Sequence, residues 1–297
     1  LFKKIVIADR LAVFVGQVYN NPANYDGISL MVATFFFAFQ IYCDFSGYSD
    51  IGIGAAQVMG FKLMRNFNRP YYSKSIAEFW KRWHISLSTW FRDYLYFSLG
   101  GNRVSIPRWY FNLFITFLVS GFWHGANWTF IIWGALHGFY LIFGIMTSGT
   151  RTALAKAINL DRFPVIHKFI KVSLTFILVS FAWIFFRANN VGDAFYIITH
   201  LHVGVGRFVV NLFSNLTASN SGKLAPLLLG QHREEFFIAI MAIGFMEFVH
   251  LIQRHGSIRH MLSGKPMWFR WSIYYILIFA ILFFGVFSKT PFIYFQF

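Results

Sequence analysis

Long apolar runs separated by shorter polar segments dominate this chain. A membrane-spanning helix needs about 20 mostly apolar residues, and six runs approach or reach that length. They are residues 28–43, 109–122, 128–146, 170–186, 236–252 and 271–287. The pattern therefore predicts an all-α, polytopic membrane protein. Residues 5–19 form a weaker run, because Asp9 and Arg10 interrupt it, and either an interfacial helix or the tail of a further span fits it.

A polar break follows the first apolar run. Residues 44–50 read Asp-Phe-Ser-Gly-Tyr-Ser-Asp, and a run of small and apolar residues, 51–61, comes next. We expect Asp44 and Asp50 to orient a histidine or to line a water path. They could equally do no more than satisfy an unwound stretch of backbone.

The composition excludes several classes of protein. Hydrophobic residues make up 57% of the 297 residues and charged residues only 12%, against about 25% charged in an ordinary soluble domain. That leaves too little polar surface for a cytosolic enzyme, a nucleic-acid-binding domain or a disordered chain. A single cysteine, Cys43, excludes a disulfide framework or a cysteine-based zinc site, and we expect no bound metal.

The distribution of charge predicts a topology. The formal net charge is +15, and its basic residues concentrate in segments 62–82, 147–171 and 253–270, whereas segment 187–235 is nearly balanced. Basic loops of membrane proteins face the cytoplasm, so segment 187–235 is predicted to face outward, with residues 211–222 as an outer loop. The chain starts at a leucine, and we expect an N-terminal part to be missing.

Residues 73–102 carry the most informative polar pattern. Ser75 and Glu78 have the spacing of a capping box, which predicts a helix from about Ile76. Helical spacing then gives an apolar stripe and a polar face, with His84 and Ser88 one turn apart, until Gly100-Gly101-Asn102. The stripe is Trp83, Leu87, Trp90, Tyr94 and Phe97, and the polar face is Arg82, Ser86, Thr89, Asp93 and Tyr96. Such a helix suits a re-entrant segment lining a cavity or a membrane-surface helix whose histidine only hydrogen-bonds to a neighbour.

His124 lies between two apolar runs, flanked by Gly121 and Gly125. Ionisable groups at membrane depth are costly and indicate function, and a desolvated, neutral imidazole can accept a proton from a hydroxyl. The alternative is a buried histidine satisfied by Asn127 or by a backbone carbonyl. For His137, inside the next run, a helix-packing hydrogen bond to a neighbouring span is favoured over a second catalytic role.

Three stretches resemble the membrane-bound O-acyltransferase (MBOAT) family. They are residues 40–54, 79–96 and 121–128, and residues 99–103 and 183–188 favour its bacterial, alginate O-acetyltransferase (AlgI-like) branch, which is related to DltB. The resemblance runs from about residue 3 to the C-terminal span. It implies a single transmembrane domain over 1–297, roughly the C-terminal two thirds of a longer protein, with a ring of tilted helices around a central tunnel.

The resemblance also implies a reaction: an O-acyltransferase in the membrane moves an acyl group, expected to be acetyl, from a cytoplasmic donor across the membrane for O-acetylation of an extracytoplasmic polysaccharide. His124 matches the family's catalytic histidine and His84 its second polar position. Apart from these two positions, the polar and aromatic pattern around the motifs gives candidate tunnel-lining or supporting residues: Asp44, Asp50, Trp83, Ser88, Arg92, Asp93, Trp123, Asn127 and His137. Arg69, Lys74, Lys81 and Arg82 are candidates for binding the donor, acetyl-CoA or an acyl carrier, and no permanently bound cofactor is expected.

The expected setting is the bacterial inner membrane. The implied partners are membrane lipid and an extracytoplasmic SGNH-type (AlgJ- or AlgX-like) acetyltransferase, with an acetylated polysaccharide such as alginate reached indirectly and no nucleic acid. D-alanyl or peptidoglycan acyl transfer by the same fold is the alternative. From a different class, a transporter or a scaffold of a polysaccharide export complex stays open, although no internal repeat is visible.

Overall fold

The computed structural model describes residues 1–214, 225–287 and 292–293, and every regular element in these ranges is helical. The α-helices are α1 (Asp9–Tyr19), α2 (Gly27–Val58), α3 (Ile76–Trp80), α4 (Ile85–Trp90), α5 (Ile106–His124), α6 (Trp128–Met146), α7 (Ser148–Ala157), α8 (Pro164–Arg187), α9 (Val191–His200), α10 (Val205–Ser214), α11 (Ala225–Leu228), α12 (Arg233–Ile252), α13 (Ile258–Ser263) and α14 (Met267–Phe284). Phe2–Ala8 and Phe91–Tyr96 are π-helical, and Pro22–Asn24, Pro70–Tyr72 and Leu160–Arg162 are 3-10 turns. The chain divides into two compact units, residues 1–61 with 196–296 and residues 62–195.

Five of the described helices are long and apolar enough to cross a membrane, which confirms an all-α, multi-pass membrane protein. They are α2, α6, α8, α12 and α14, and they cover five of the six predicted runs. The sixth run is also helical, as α5, but this helix carries Pro107, Arg108 and Asn112 and is not among the five. The predicted outer loop 211–222 begins inside α10, and its residues 215–222 lie outside the described residues.

The predicted break at residues 44–50 is wrong, because α2 runs through it without interruption. The carboxylate of Asp44 lies 2.8 Å from Lys4 Nζ and accepts the backbone N–H of Ile293 at 2.9 Å. Asp50 lies 2.8 Å from Lys3 Nζ. Since lysines from the N-terminal segment satisfy both carboxylates, the backbone of α2 has no need to unwind.

The weak run at residues 5–19 is helical and lies in the interior of the first unit. Leu11, Val15 and Val18 are fully buried, and α1 packs along α2. The two charges that interrupt the run are paired: Asp9 lies 2.9 Å from Lys4 Nζ, and Arg10 binds Glu235. Pairing is what allows these charges to lie inside an apolar unit.

A tight helical hairpin, α5 and α6, forms the centre of the second unit. The helices approach at two glycines: a methyl group on Gly121 would overlap the carbonyl oxygen of Phe130, and one on Gly134 would overlap that of Phe117. Small residues let helix backbones come this close within a membrane. The hairpin brings the turn after His124 against the aromatic residues of α6.

Candidate functional site

His84 lies at a break between two short helices. Ser75 caps α3 as the capping-box spacing predicts, its hydroxyl accepting the Glu78 N–H at 3.2 Å. The helix then stops at Trp80, and His84 takes the left-handed conformation (φ 41°, ψ 56°) before α4 begins. The prediction of one amphipathic helix from residue 76 towards residue 99 is therefore wrong. A left-handed histidine is uncommon and strained, and such residues concentrate at functional sites.

Asn66 stabilises this break from the preceding loop. Its carbonyl oxygen accepts the Ile85 N–H at 3.0 Å. Its side-chain oxygen accepts the Ser86 N–H at 3.2 Å and the Ser86 hydroxyl at 2.6 Å. These bonds satisfy N–H groups that have no partner inside α4. The new helix can therefore start at Ile85, directly after the bend at His84.

Trp83, next to His84, is buried among aromatic rings. Its ring stacks on Phe79 at 5.4 Å between centroids, and it contacts Trp183 of α8 and Phe67 at 5.1 Å each. Burial of this indole requires the chain to turn between residues 80 and 85, and this is the second reason why the predicted helix is broken.

His124 ends α5 and lies against aromatic rings. Its imidazole is perpendicular to Trp133 at 5.1 Å between centroids and lies 5.3 Å from Phe186 and 5.2 Å from Trp123. The side chain of Asn127, one of the two partners that the alternative interpretation offers for His124, bonds elsewhere. It caps α6 by accepting the Thr129 N–H at 3.1 Å and donates to the Asn189 carbonyl at 3.4 Å.

One cluster of aromatic rings links the two segments that carry the histidines named from the sequence. Trp83, next to His84, lies at one end of this cluster, and Trp133, against His124 at 5.1 Å between centroids, lies at the other. Trp183 lies between these two tryptophans. Its ring contacts that of Trp83 at 5.1 Å between centroids and stacks on that of Trp133 at 5.8 Å. Burial lowers the pKa of His84 to about 4, so this imidazole is neutral at pH 7.

His137 is fully buried and forms the packing hydrogen bond that the sequence favours. Trp80 Nε1 donates to His137 Nδ1 at 3.2 Å. The partner lies on the short helix α3 and not on another span. Trp133 contacts His137 at 5.1 Å on one side and His124 on the other, which connects the two rings.

The other supporting positions lie in different places: one at the bend, three at the surface and two in the other unit. The Ser88 hydroxyl donates to the Trp83 carbonyl at 3.2 Å and stabilises the bend. Arg92 and Asp93 pair with each other at 2.7 Å on the surface, and Trp123 is more than half exposed. Asp44 and Asp50 belong to the other unit, where Lys4 and Lys3 hold them.

The four candidate donor-binding residues fall in one segment with Glu78. Arg82 Nη2 lies 2.5 Å from this carboxylate, and Arg82 also donates to the Arg69 carbonyl at 3.5 Å. Lys74 and Lys81 are exposed. The charge of Arg82 is thus compensated within the segment, and the two lysines extend into the surroundings.

Sequence reasoning gave no role to four aromatic residues of α3, α6 and α8 or to the capping asparagine. The residues concerned are Asn66, Trp80, Trp133, Trp183 and Phe186. Trp80, Trp183 and Phe186 lie inside stretches that carry the family resemblance, which is a usable signal. Asn66 precedes Ser86 by 20 residues, so no local capping pattern in the sequence marks it.

A family model described as MBOAT, membrane-bound O-acyltransferase family, matches residues 2–187. The matched region contains His84, His124 and His137, and it also contains the aromatic rings of α6 and of α8 up to Phe186.

Three curated relatives illustrate the similarity. The protein named "Probable alginate O-acetylase AlgI" from Pseudomonas aeruginosa is 48% identical over 190 residues, which is 63% of this chain and 34% of that protein. A peptidoglycan O-acetyltransferase from Helicobacter pylori is 43% identical over 194 residues, 65% of this chain and 35% of the relative. A teichoic acid D-alanyltransferase from Streptococcus thermophilus is 32% identical over 162 residues, 51% of this chain and 35% of the relative. The chain spans about a third of the length of the curated relatives it matches.

Proposed function

Because the chain belongs to the membrane-bound O-acyltransferase family, we propose that it is part of a membrane-embedded enzyme that transfers an acyl group to a hydroxyl group. The observation that supports this most strongly is one cluster of aromatic rings that joins two separate motifs, from Trp83, next to His84, through Trp183 and Trp133 to His124. Neutral imidazoles at membrane depth have the chemistry that acyl transfer needs.

In the proposed reaction His124 is the general base. It takes the proton of the acceptor hydroxyl as the oxygen attacks the thioester carbonyl carbon. The C–O bond forms, the C–S bond breaks, and the proton passes from His124 to the departing thiolate. His84 orients the donor or stabilises the negative charge that develops on the carbonyl oxygen.

The proposed acyl group is acetyl and the donor acetyl-CoA. The relatives at 43% and 48% identity carry O-acetyl transfer in their names, and the relative named for D-alanyl transfer is more distant, at 32%. The exposed Lys74 and Lys81, with Arg69 and Arg82, would meet the phosphates of the donor on the cytoplasmic face.

The proposed setting is the bacterial inner membrane. An extracytoplasmic SGNH-type transferase would receive the acetyl group and modify a polysaccharide such as alginate. The basic segments 62–82, 147–171 and 253–270 support a cytoplasmic location for those segments.

The test uses the protein expressed from its complete reading frame and reconstituted in liposomes with radiolabelled acetyl-CoA. His124→Ala should abolish acetyl transfer, and His84→Ala should lower it strongly. His255→Ala, at an exposed histidine outside the site, is the matched control and should transfer normally. Transfer at the wild-type rate by His124→Ala would refute the proposal, as would a wild-type protein that releases no CoA with any hydroxyl acceptor.

A further inference from the structure

A hydrogen bond connects the two segments that carry the site histidines. Trp80 is the last residue of α3, one turn before His84, and His137 lies in α6, the helix that starts just after His124. The bond from Trp80 Nε1 to His137 Nδ1, at 3.2 Å, therefore ties the segment leading to His84 to the helix that follows His124.

The chemistry of this bond fixes the state of His137. An indole nitrogen only donates, so Nδ1 must be the acceptor and the ring proton must lie on Nε2. Nε2 is buried and has no hydrogen-bond partner among the described residues, and the side chain as a whole is fully buried. The one lone pair that could act as a base is thus occupied by Trp80, and substrate has no access to the ring. His137 is suited to hold a neighbour and not to exchange protons.

Other contacts between the two segments are aromatic and less directional. Trp80 meets Trp133 edge-on at 5.7 Å, and Phe79 stacks on His137 at 6.4 Å. Aromatic pairs tolerate a range of separations and angles, whereas a hydrogen bond weakens steeply away from its preferred geometry. The bond between Trp80 and His137 is therefore the contact that sets the position of α3 along α6.

We propose that His137 is a positioning residue: its Nδ1 holds Trp80 and thereby sets the place of His84 relative to His124 for acyl transfer. This inference rests on the proposed function. For this role the side chain needs a hydrogen-bond acceptor at the position of Nδ1, and it needs no hydrogen-bonding group at the position of Nε2.

Two amide substitutions separate these positions. In His137→Asn the side-chain oxygen is attached to Cγ, as Nδ1 is, so it can still accept from Trp80. In His137→Gln the amide lies one atom further out, near the place of Nε2. We expect His137→Asn to keep kcat close to wild type. We expect His137→Gln, His137→Phe and Trp80→Phe each to lower kcat by about 10- to 100-fold, the cost of a misplacement of the order of 1 Å, with KM for acetyl-CoA nearly unchanged.

The opposite pattern would overturn the inference. An active His137→Gln with an inactive His137→Asn would assign the role to Nε2, and equal loss in both would make the histidine itself indispensable. A rise in KM without a fall in kcat would also contradict positioning.

A measurement without catalysis keeps this inference separate from the proposed function. The melting temperatures of Trp80→Phe, His137→Phe and the double variant in detergent form a double-mutant cycle. Non-additive losses support the bond, and additive losses refute it, whether or not the wild-type protein transfers acetyl groups.

Discussion

The side-chain oxygen of Asn66 accepts both the backbone N–H and the hydroxyl of Ser86, at 3.2 and 2.6 Å. This pair joins the loop after the first unit to the start of α4 and so supports the left-handed backbone of His84. The replacement Asn66→Ala should lower the free energy of unfolding by about 1 kcal/mol, the usual value of a helix cap, and should lower acetyl transfer.

The matched variant Asn66→Asp keeps the acceptor oxygen and should retain both stability and activity. Chemical unfolding in detergent and the transfer assay measure the two effects. An alanine variant that matches the wild type in both would show that the cap does not support the site.

The depressed pKa of His84 makes folding dependent on pH. The imidazole titrates near 4 in the folded protein and near 6.5 in an unfolded chain. Above about pH 6.5 both states are neutral and the group has no effect. As the pH falls from 6.5 towards 4, only the unfolded state binds the proton, so stability is lost, and below about 4 the loss levels off. Melting temperatures of wild type and His84→Asn should therefore converge or cross as the pH falls through this window, and parallel curves would contradict the burial of His84.

The carboxylate of Asp44 is almost completely buried beside Lys4, whereas that of Asp50 is 61% exposed beside Lys3. Asp44→Asn should cost about 3–5 kcal/mol, because it leaves a buried ammonium group with one acidic partner fewer. Asp50→Asn, with the same chemistry at the surface, should cost no more than about 1 kcal/mol. The free energies of unfolding of the two variants and the wild type measure these costs. Equal losses in Asp44→Asn and Asp50→Asn would mean that burial does not determine the strength of these ion pairs.

The α5–α6 hairpin leaves no room at Gly121. Gly121→Ala should force the helices apart, with a cost of about 1–3 kcal/mol and a loss of transfer because His124 lies three residues further on. Gly144→Ala, in α6 with nothing within 4 Å of the added carbon, is the control and should be neutral or slightly stabilising. Thermal unfolding measures the loss of stability, and the transfer assay measures the loss of activity. A Gly121→Ala variant as stable and active as the wild type would refute the close contact between α5 and α6.

The sequence predicts those parts of the structure that are determined by residues close together along the chain. Apolar runs predict the spanning helices because length and hydropathy decide them, and Ser75 with Glu78 predicts the start of α3 because both groups lie in one turn. His124 was found for a similar reason: a histidine between glycines and apolar runs is informative by itself.

Tertiary contacts explain what the sequence did not predict. The continuity of α2 depends on lysines from a different helix, and the break at His84 depends on Asn66 and on the burial of Trp83. The bond between Trp80 and His137 joins residues whose patterns carry no sign of each other. The ring of helices around a tunnel and the cytoplasmic location of the basic segments stay predictions.

The length of α2 has a geometric consequence. Its 32 residues extend about 48 Å at 1.5 Å per residue, against a hydrocarbon layer about 30 Å thick. Even at a tilt of about 40°, the upper end of the usual range, the rod still measures about 37 Å along the bilayer normal. At least one end must therefore emerge into the headgroup region, and the exposed Val58 and Met59 mark an end where a cysteine introduced by mutagenesis should react with a water-soluble maleimide.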